Sequence, residues 1–226
     1  MSRPLLVVVD YGMGNLLSVS KALSALGART TVSGKRSALC RAHGLVLPGV
    51  GAFGEAVRRL KRLALWEPLK EWVAAGRPFL GICLGYQLLL EGSPEFGWTK
   101  GMGLVAGRVA RFPRGLKVPH MGWNRLVVRK RGWLLAGLPS RPYAYFVHSF
   151  YPRPADRSIV AAETDYGVRF ASAVEFGKVA GVQFHPEKSQ AVGLRILRNF
   201  VALCVRGTPQ YGKQFHGPIL RAGNAP

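Results

Sequence analysis

The chain has 226 residues, 48% of them hydrophobic and 10% aromatic, which suits one globular domain with a sizeable buried core. No run approaches the ~18 apolar residues of a membrane-spanning helix. Three cysteines, Cys40, Cys83 and Cys204, are too few and too far apart for a disulfide framework or a metal site, but a formal net charge of +21 is unusual.

Residues 100–157 carry twelve Lys or Arg against one acid, Asp156, about half of the net charge. A surface this basic admits nucleic acid, an acidic protein or a phosphorylated metabolite as a partner. No RNA-binding signature or helix-turn-helix pattern accompanies the charge, so neither nucleic acid nor membrane is expected as a partner. The N-terminus runs into an apolar strand without a long hydrophobic leader, so no signal peptide is expected. Unpaired cysteines fit a reducing cytoplasm.

In chain order, "LLVVVD" (5–10) reads as a strand buried on both faces, as in a parallel sheet. A loop follows, then a helix with Asn15 as N-cap, an apolar stripe of Leu16, Val19, Leu23 and Leu26, and Gly27 at its end. "ARTTV" and "HGLVLPG" are the second and third strands, the third breaking into the glycine-rich turn "PGVGAFG" (48–54). "EAVRRLKRLALWEPLKEWVAAG" reads as a helix interrupted at Trp66, with Pro68 in the first turn of its successor. "RPFLGI" is a fourth strand, and "LGYQLLLEG" starts a helix. This alternation predicts an α/β fold with a parallel sheet and right-handed crossovers. From about residue 103 the texture changes to short β-rich runs, including "GLVAGRVARF", "YAYFVHSFY" and "YGVRFASAVEF", several of which should pair antiparallel. A closing helix, "GLRILRNFVALC", is expected to bury Leu194, Leu197, Phe200 and Val201 on one face. The Gly-, Pro- and polar-rich residues 206–226 read as a flexible tail outside a single domain of 1–205.

Cys83 stands between a buried strand and a helix start, with Gly81 and Gly85 two residues to either side. Ligand sites in such sheets lie at the carboxyl ends of strands. A nucleophile on a tight strand-to-helix turn is exposed, and a helix N-terminus favours thiolate. The pattern fits a poised nucleophile or a small core residue. His185, at the end of another apolar run, is followed two residues later by Glu187; a carboxylate there can hold one tautomer of the ring and stabilise its cation. The turn at Gly49, Val50 and Gly51, together with the Leu84 N–H, is placed to supply donors to an oxyanion.

The segments "PGVGAFG", "GICLGYQLL" and "GVQFHPEKS", in this order and spacing, resemble class I glutamine amidotransferases. "DYGMGNLLSV", "VPHMGWN", "YAYFVHSFY" and the run from Tyr166 to Phe200 narrow the resemblance to the glutaminase subunits of imidazole glycerol phosphate synthase, over about residues 5–204. Tyr86 departs from the methionine found in many members. The resemblance implies a flavodoxin-like, mostly parallel sheet flanked by helices, with an antiparallel extension in the C-terminal half. It implies Cys83, His185 and Glu187 as catalytic residues, and Gln87, His148 and Ser149 as helpers in glutamine binding. It further implies no cofactor, and a heterodimer with a (β/α)8-barrel cyclase subunit that receives the ammonia. Asn15, Met121, Trp123, Asn124, Tyr145 and Lys188 are the expected contacts with that subunit, and the free subunit is expected to be near-silent. Three other readings stay open: a glutaminase serving another synthase, against which "VPHMGWN" and "DYGMGN" argue; a free-standing cysteine hydrolase or peptidase on a related fold, disfavoured by Gln87 and the "HPEKS" ending; and a basic nucleic-acid-binding module.

Overall fold

The computed structural model describes residues 3–206. The first half alternates β1 (Leu5–Val9), α1 (Leu16–Ala25), β2 (Arg29–Ser33), α2 (Arg36–Arg41), β3 (Gly44–Gly49), α3 (Phe53–Arg62), α4 (Trp66–Ala74), β4 (Phe79–Cys83) and α5 (Leu84–Gln87). The second half holds β5 (Gly92–Ser93), β6 (Thr99–Lys100), β7 (Gly107–Arg111), β8 (His120–Arg125), β9 (Val127–Val128), β10 (Tyr143–His148) and β11 (Phe150–Pro154). It closes with β12 (Val160–Asp165), β13 (Arg169–Phe176), β14 (Val179–Val182) and α6 (Gln190–Arg206). The central sheet has eight strands in the order β2-β1-β3-β4-β14-β13-β12-β9. From β2 to β14 the strands are parallel; β13, β12 and β9 extend the sheet antiparallel. Three two-stranded ribbons, β10–β8, β11–β7 and β5–β6, stand beside it.

The continuous apolar runs arise because both faces of the sheet are covered. Along β1, Val7 and Val9 face a core with Phe53, Leu60, Leu69 and Tyr86. Leu6 and Val8 face a second core with Val19, Leu23, Ile196 and Phe200. Strand side chains alternate faces, so each strand feeds both cores, and each fully buried Leu, Val or Phe contributes ~1.5–3 kcal/mol. Asn15 caps α1, its Oδ1 accepting from Ser18 N at 3.3 Å. The break between α3 and α4 falls at Ala64, whose φ is +53°.

Several expectations are corrected. α2 was not foreseen, because six residues give too little periodicity. "YAYFVHSFY" is not one strand: it divides at Ser149, β10 pairing with β8 and β11 with β7. In α6 the buried stripe is Gly193, Ile196, Leu197, Phe200, Val201 and Cys204, while Leu194 is 41% exposed. Gly193 fixes that face, since a Cβ there would collide with the Pro186 carbonyl. Tyr86 is wholly buried against the bare face of Gly181, which leaves room for a ring. The expected tail lies outside the described residues from Gly207 on; Arg206 is the last residue of α6. Among the described residues no helix is long and apolar enough to cross a membrane.

Candidate active site

Cys83 ends β4 with φ +53° and ψ −108°, a conformation that L-residues rarely adopt. The flanking glycines allow it. A Cβ on Gly81 would lie 2.7 Å from the Gly85 carbonyl oxygen, and one on Gly85 would run into the Leu47 carbonyl. The elbow is therefore packed backbone to backbone, with no room for a methyl group. α5 is a single turn of four residues, not the longer helix expected, so it has little macrodipole with which to favour thiolate.

β14 lies parallel to β4, with Val182 opposite Ile82, so the two strands deliver Cys83 and the segment from Gln183 to His185 to the same sheet edge. His185 Nδ1 lies 2.9 Å from Glu187 Oε1, and both side chains are buried. The pair is held by stitching to β10: His185 N donates to Tyr145 O at 2.9 Å, Tyr145 N to Ser189 Oγ at 2.9 Å, and Ser189 Oγ to His185 O at 2.7 Å. Burial alone pulls the His185 pKa down. The Cys83 sulfur and the Glu187 carboxylate outweigh it and hold the imidazole at about 10. His185 Nε2 makes no hydrogen bond among the described residues; a catalytic contact is often loose before substrate binds.

A cleft of about 460 Å³ opens in front of the elbow, its walls including Cys83, Leu84, Gln87, Val50, Gly51 and Ser149. Gly49 pairs with Cys83 in the β3–β4 register, which sets the glycine turn beside the sulfur. Gly51 has φ +96°. Tyr11 packs its buried hydroxyl against Gly49, where a Cβ would collide with it.

Not every expected binding residue has a hand free. His148 lines the cleft, yet its Nδ1 donates to Phe150 O at 2.8 Å and its Nε2 lies 3.0 Å from His120 Nδ1. It shapes the wall and has no ring nitrogen left for a ligand. Burial lowers its pKa to about 3 and that of His120 to about 4, so both rings are neutral. Gln87 spends its Nε2 on Phe150 O and Gln183 Oε1, both at 2.9 Å, and keeps its carbonyl oxygen.

Two residues were missed. Glu95, on the tip between β5 and β6, is the one carboxylate among the described residues of the cleft wall and accepts from Phe53 N at 2.7 Å. Gln183 donates from Nε2 to Cys83 Sγ at 3.4 Å. Nothing periodic marks either residue; Gln183 could have been suspected from its place two residues before His185.

On the surface near the site, Trp123 is 48% exposed and not a core tryptophan. It faces Tyr145 across β8–β10 with ring centroids 6.1 Å apart, and the Lys188 ammonium lies 5.9 Å from the Tyr145 ring. Met121 projects from the same strand, and α1, headed by Asn15, packs near the Pro186–Lys188 turn. Asn124 departs from expectation. Its amide turns inward, donating to Asp165 O at 2.8 Å and lying 3.3 Å from His120 Nε2.

The family model described as glutamine amidotransferase class-I matches residues 7–204. The chain is 50% identical to imidazole glycerol phosphate synthase subunit HisH of Aquifex aeolicus over 195 residues, covering 86% of this chain and 94% of that one. It is 48% identical to the subunit of the same name from Syntrophotalea carbinolica, covering 87% and 98%. Among solved structures, PurLQS from Thermotoga maritima superposes with a TM-score of 0.69 at 20% identity, covering 91% of this chain and 99% of that chain, a likeness of fold.

Proposed function

The chain belongs to the class I glutamine amidotransferase family, and from that premise we propose that it is the glutaminase subunit of an imidazole glycerol phosphate synthase. In this reading residues 1–205 form one amidotransferase domain acting in the cytoplasm in histidine biosynthesis. It forms a heterodimer with a (β/α)8-barrel cyclase subunit, which uses the ammonia to make imidazole glycerol phosphate and aminoimidazole carboxamide ribotide. The observation that carries the proposal is the strained Cys83 set beside the buried His185–Glu187 pair.

The Cys83 thiolate adds to the side-chain carbonyl of glutamine. The oxyanion is received by the backbone N–H of Leu84 and of the Gly49–Gly51 turn. An imidazolium held at about 10 is charged at neutral pH, so His185 protonates the departing nitrogen and ammonia leaves, forming the γ-glutamyl thioester. A water molecule then gives a proton to His185 and its oxygen to the acyl carbon. The carbon–sulfur bond breaks, glutamate departs and the thiolate returns. Glu187 fixes the ring and offsets its charge throughout. Glu95 takes the α-ammonium of glutamine, while the Gln87 carbonyl oxygen and the Ser149 hydroxyl bind its remaining donors and acceptors. Met121, Trp123, Tyr145, Lys188 and Asn15 form the face that meets the barrel.

The test is glutamate release from glutamine by the chain alone and with its barrel subunit. Release that needs both Cys83 and the partner supports the reading. Salt-sensitive RNA binding without glutaminase under either condition would overturn it.

A further inference from the structure

Behind the elbow runs a line of amides and imidazoles that ends on the Cys83 sulfur. Gln183 is wholly buried just after β14. Its Nε2 donates to Cys83 Sγ at 3.4 Å, and its Oε1 accepts from Gln87 Nε2 at 2.9 Å. Gln87 Nε2 also donates to the Phe150 carbonyl at 2.9 Å, and that oxygen accepts a second bond from His148 Nδ1 at 2.8 Å. His148 Nε2 lies 3.0 Å from His120 Nδ1, and His120 Nε2 lies 3.3 Å from Asn124 Nδ2.

The proton positions follow from the ends of the line. A carbonyl only accepts, so His148 carries its proton on Nδ1 and presents Nε2 as an acceptor. His120 must then donate from Nδ1, which leaves its Nε2 to accept from the Asn124 amide. Gln87 uses both amide protons, one on Phe150 and one on Gln183, so the Gln183 oxygen is turned to Gln87 and its nitrogen to the sulfur. The line works only with neutral rings, since an imidazolium has no acceptor, and burial keeps both histidines neutral.

We propose that Gln183 is a further donor to the nucleophilic sulfur, held in that role by Gln87, His148, His120 and Asn124 as positioning residues. Its N–H fixes the sulfur at the elbow and stabilises negative charge on it, in place of the macrodipole that one-turn α5 lacks. The line also ties this donor to β8, the strand from which Met121 and Trp123 project. The proposal rests on the reading of Cys83 as the nucleophile. The titratable groups that face the sulfur are His185, with Glu187 behind it, and Tyr11 just after β1, with Arg59 of α3 beyond it; His148 and Glu95 line the same cleft.

The experiment is the pH dependence of iodoacetamide alkylation of Cys83 in the full chain, resolved by peptide mass spectrometry so that exposed Cys40 serves as an internal reference. Gln183→Met should shift the Cys83 alkylation profile to higher pH and lower its rate near neutrality. Gln183→Glu should move it further, because a carboxylate repels thiolate. His120→Phe, which opens the line in its middle, should move it in the same direction by less. Cys40 should react alike throughout. Profiles of the folded Gln183 variants that superpose on the parent would overturn the proposal. In the unsubstituted protein, the Gln183 side-chain amide resonances should titrate together with Cys83 alkylation; amide signals indifferent to that transition would overturn it even where the variants do not fold. Alkylation needs no glutamine, so failure here is distinguishable from failure of the glutaminase reading.

Discussion

Cys83 holds a backbone conformation that costs a non-glycine residue on the order of 1–3 kcal/mol, and neighbouring contacts must over-determine it. Gln183 N–H on the sulfur, Gly81 and Gly85 beneath it and the β3 turn beside it do so. Replacing Cys83 with Ala should leave no measurable glutaminase in the complex. Glu187→Gln removes one of the two influences that raise the His185 pKa; the pKa should fall in a ring titration, and glutamine turnover should drop by ~10²–10⁴. The placement of Cys83, His185 and Glu187 at one sheet edge was legible because each sits where an apolar run ends beside Gly or Pro. The role of His148 was not, because only the fold reveals that both its nitrogens are engaged. The same neutral pair makes a stability prediction. His120 and His148 have pKa values depressed to about 4 and about 3 from 6.5, so the unfolded chain binds protons first as pH falls. Their contribution is full above about 6.5 and lost through about 4 and 3. His185, raised to about 10, contributes fully below about 6.5 and loses its share as pH rises through about 10. Thermal melts across pH should therefore fall on both limbs, and His148→Gln should flatten the acid one.

At the scale of elements, the elbow depends on two backbones in contact. Gly85→Ala would drive a methyl into the Leu47 carbonyl, so β3 and β4 must separate or Cys83 must leave its conformation. The expected cost is ~1–3 kcal/mol or more, measured as a lower denaturation midpoint, with glutaminase lost beyond what stability explains. The alternation of strand and helix through residue 92 was readable because strands covered on both faces leave unbroken apolar runs. The ribbons were less readable. β10 and β11 join at Ser149 with no glycine or proline to mark the change of partner, yet that change sets His148, Ser149 and Phe150 on the cleft wall. Leu194 fits the helical period but lies off the stripe centred on Gly193, which only the packing against Pro186 defines.

For the molecule as a whole, the sheet does the assembling. Cys83 and His185 lie 102 residues apart in the chain and meet because β14 returns parallel beside β4 after the ribbons have been built. The formal net charge of the chain is +21. If it complements an acidic partner, association should slow steeply as ionic strength rises and the Debye length contracts from ~30 Å at 0.01 M to ~8 Å at 0.15 M; a flat response in stopped-flow mixing removes charge from the account. The most direct test of the central claim is covalent capture in the assembled complex with a glutamine analogue bearing an electrophile at the side-chain carbonyl position. Mass spectrometry should find one adduct, on Cys83, blocked by glutamine and strongly slowed by His185→Ala. Adducts on Cys40 with Cys83 untouched, or labelling of Cys83 indifferent to His185 and to glutamine, would contradict it.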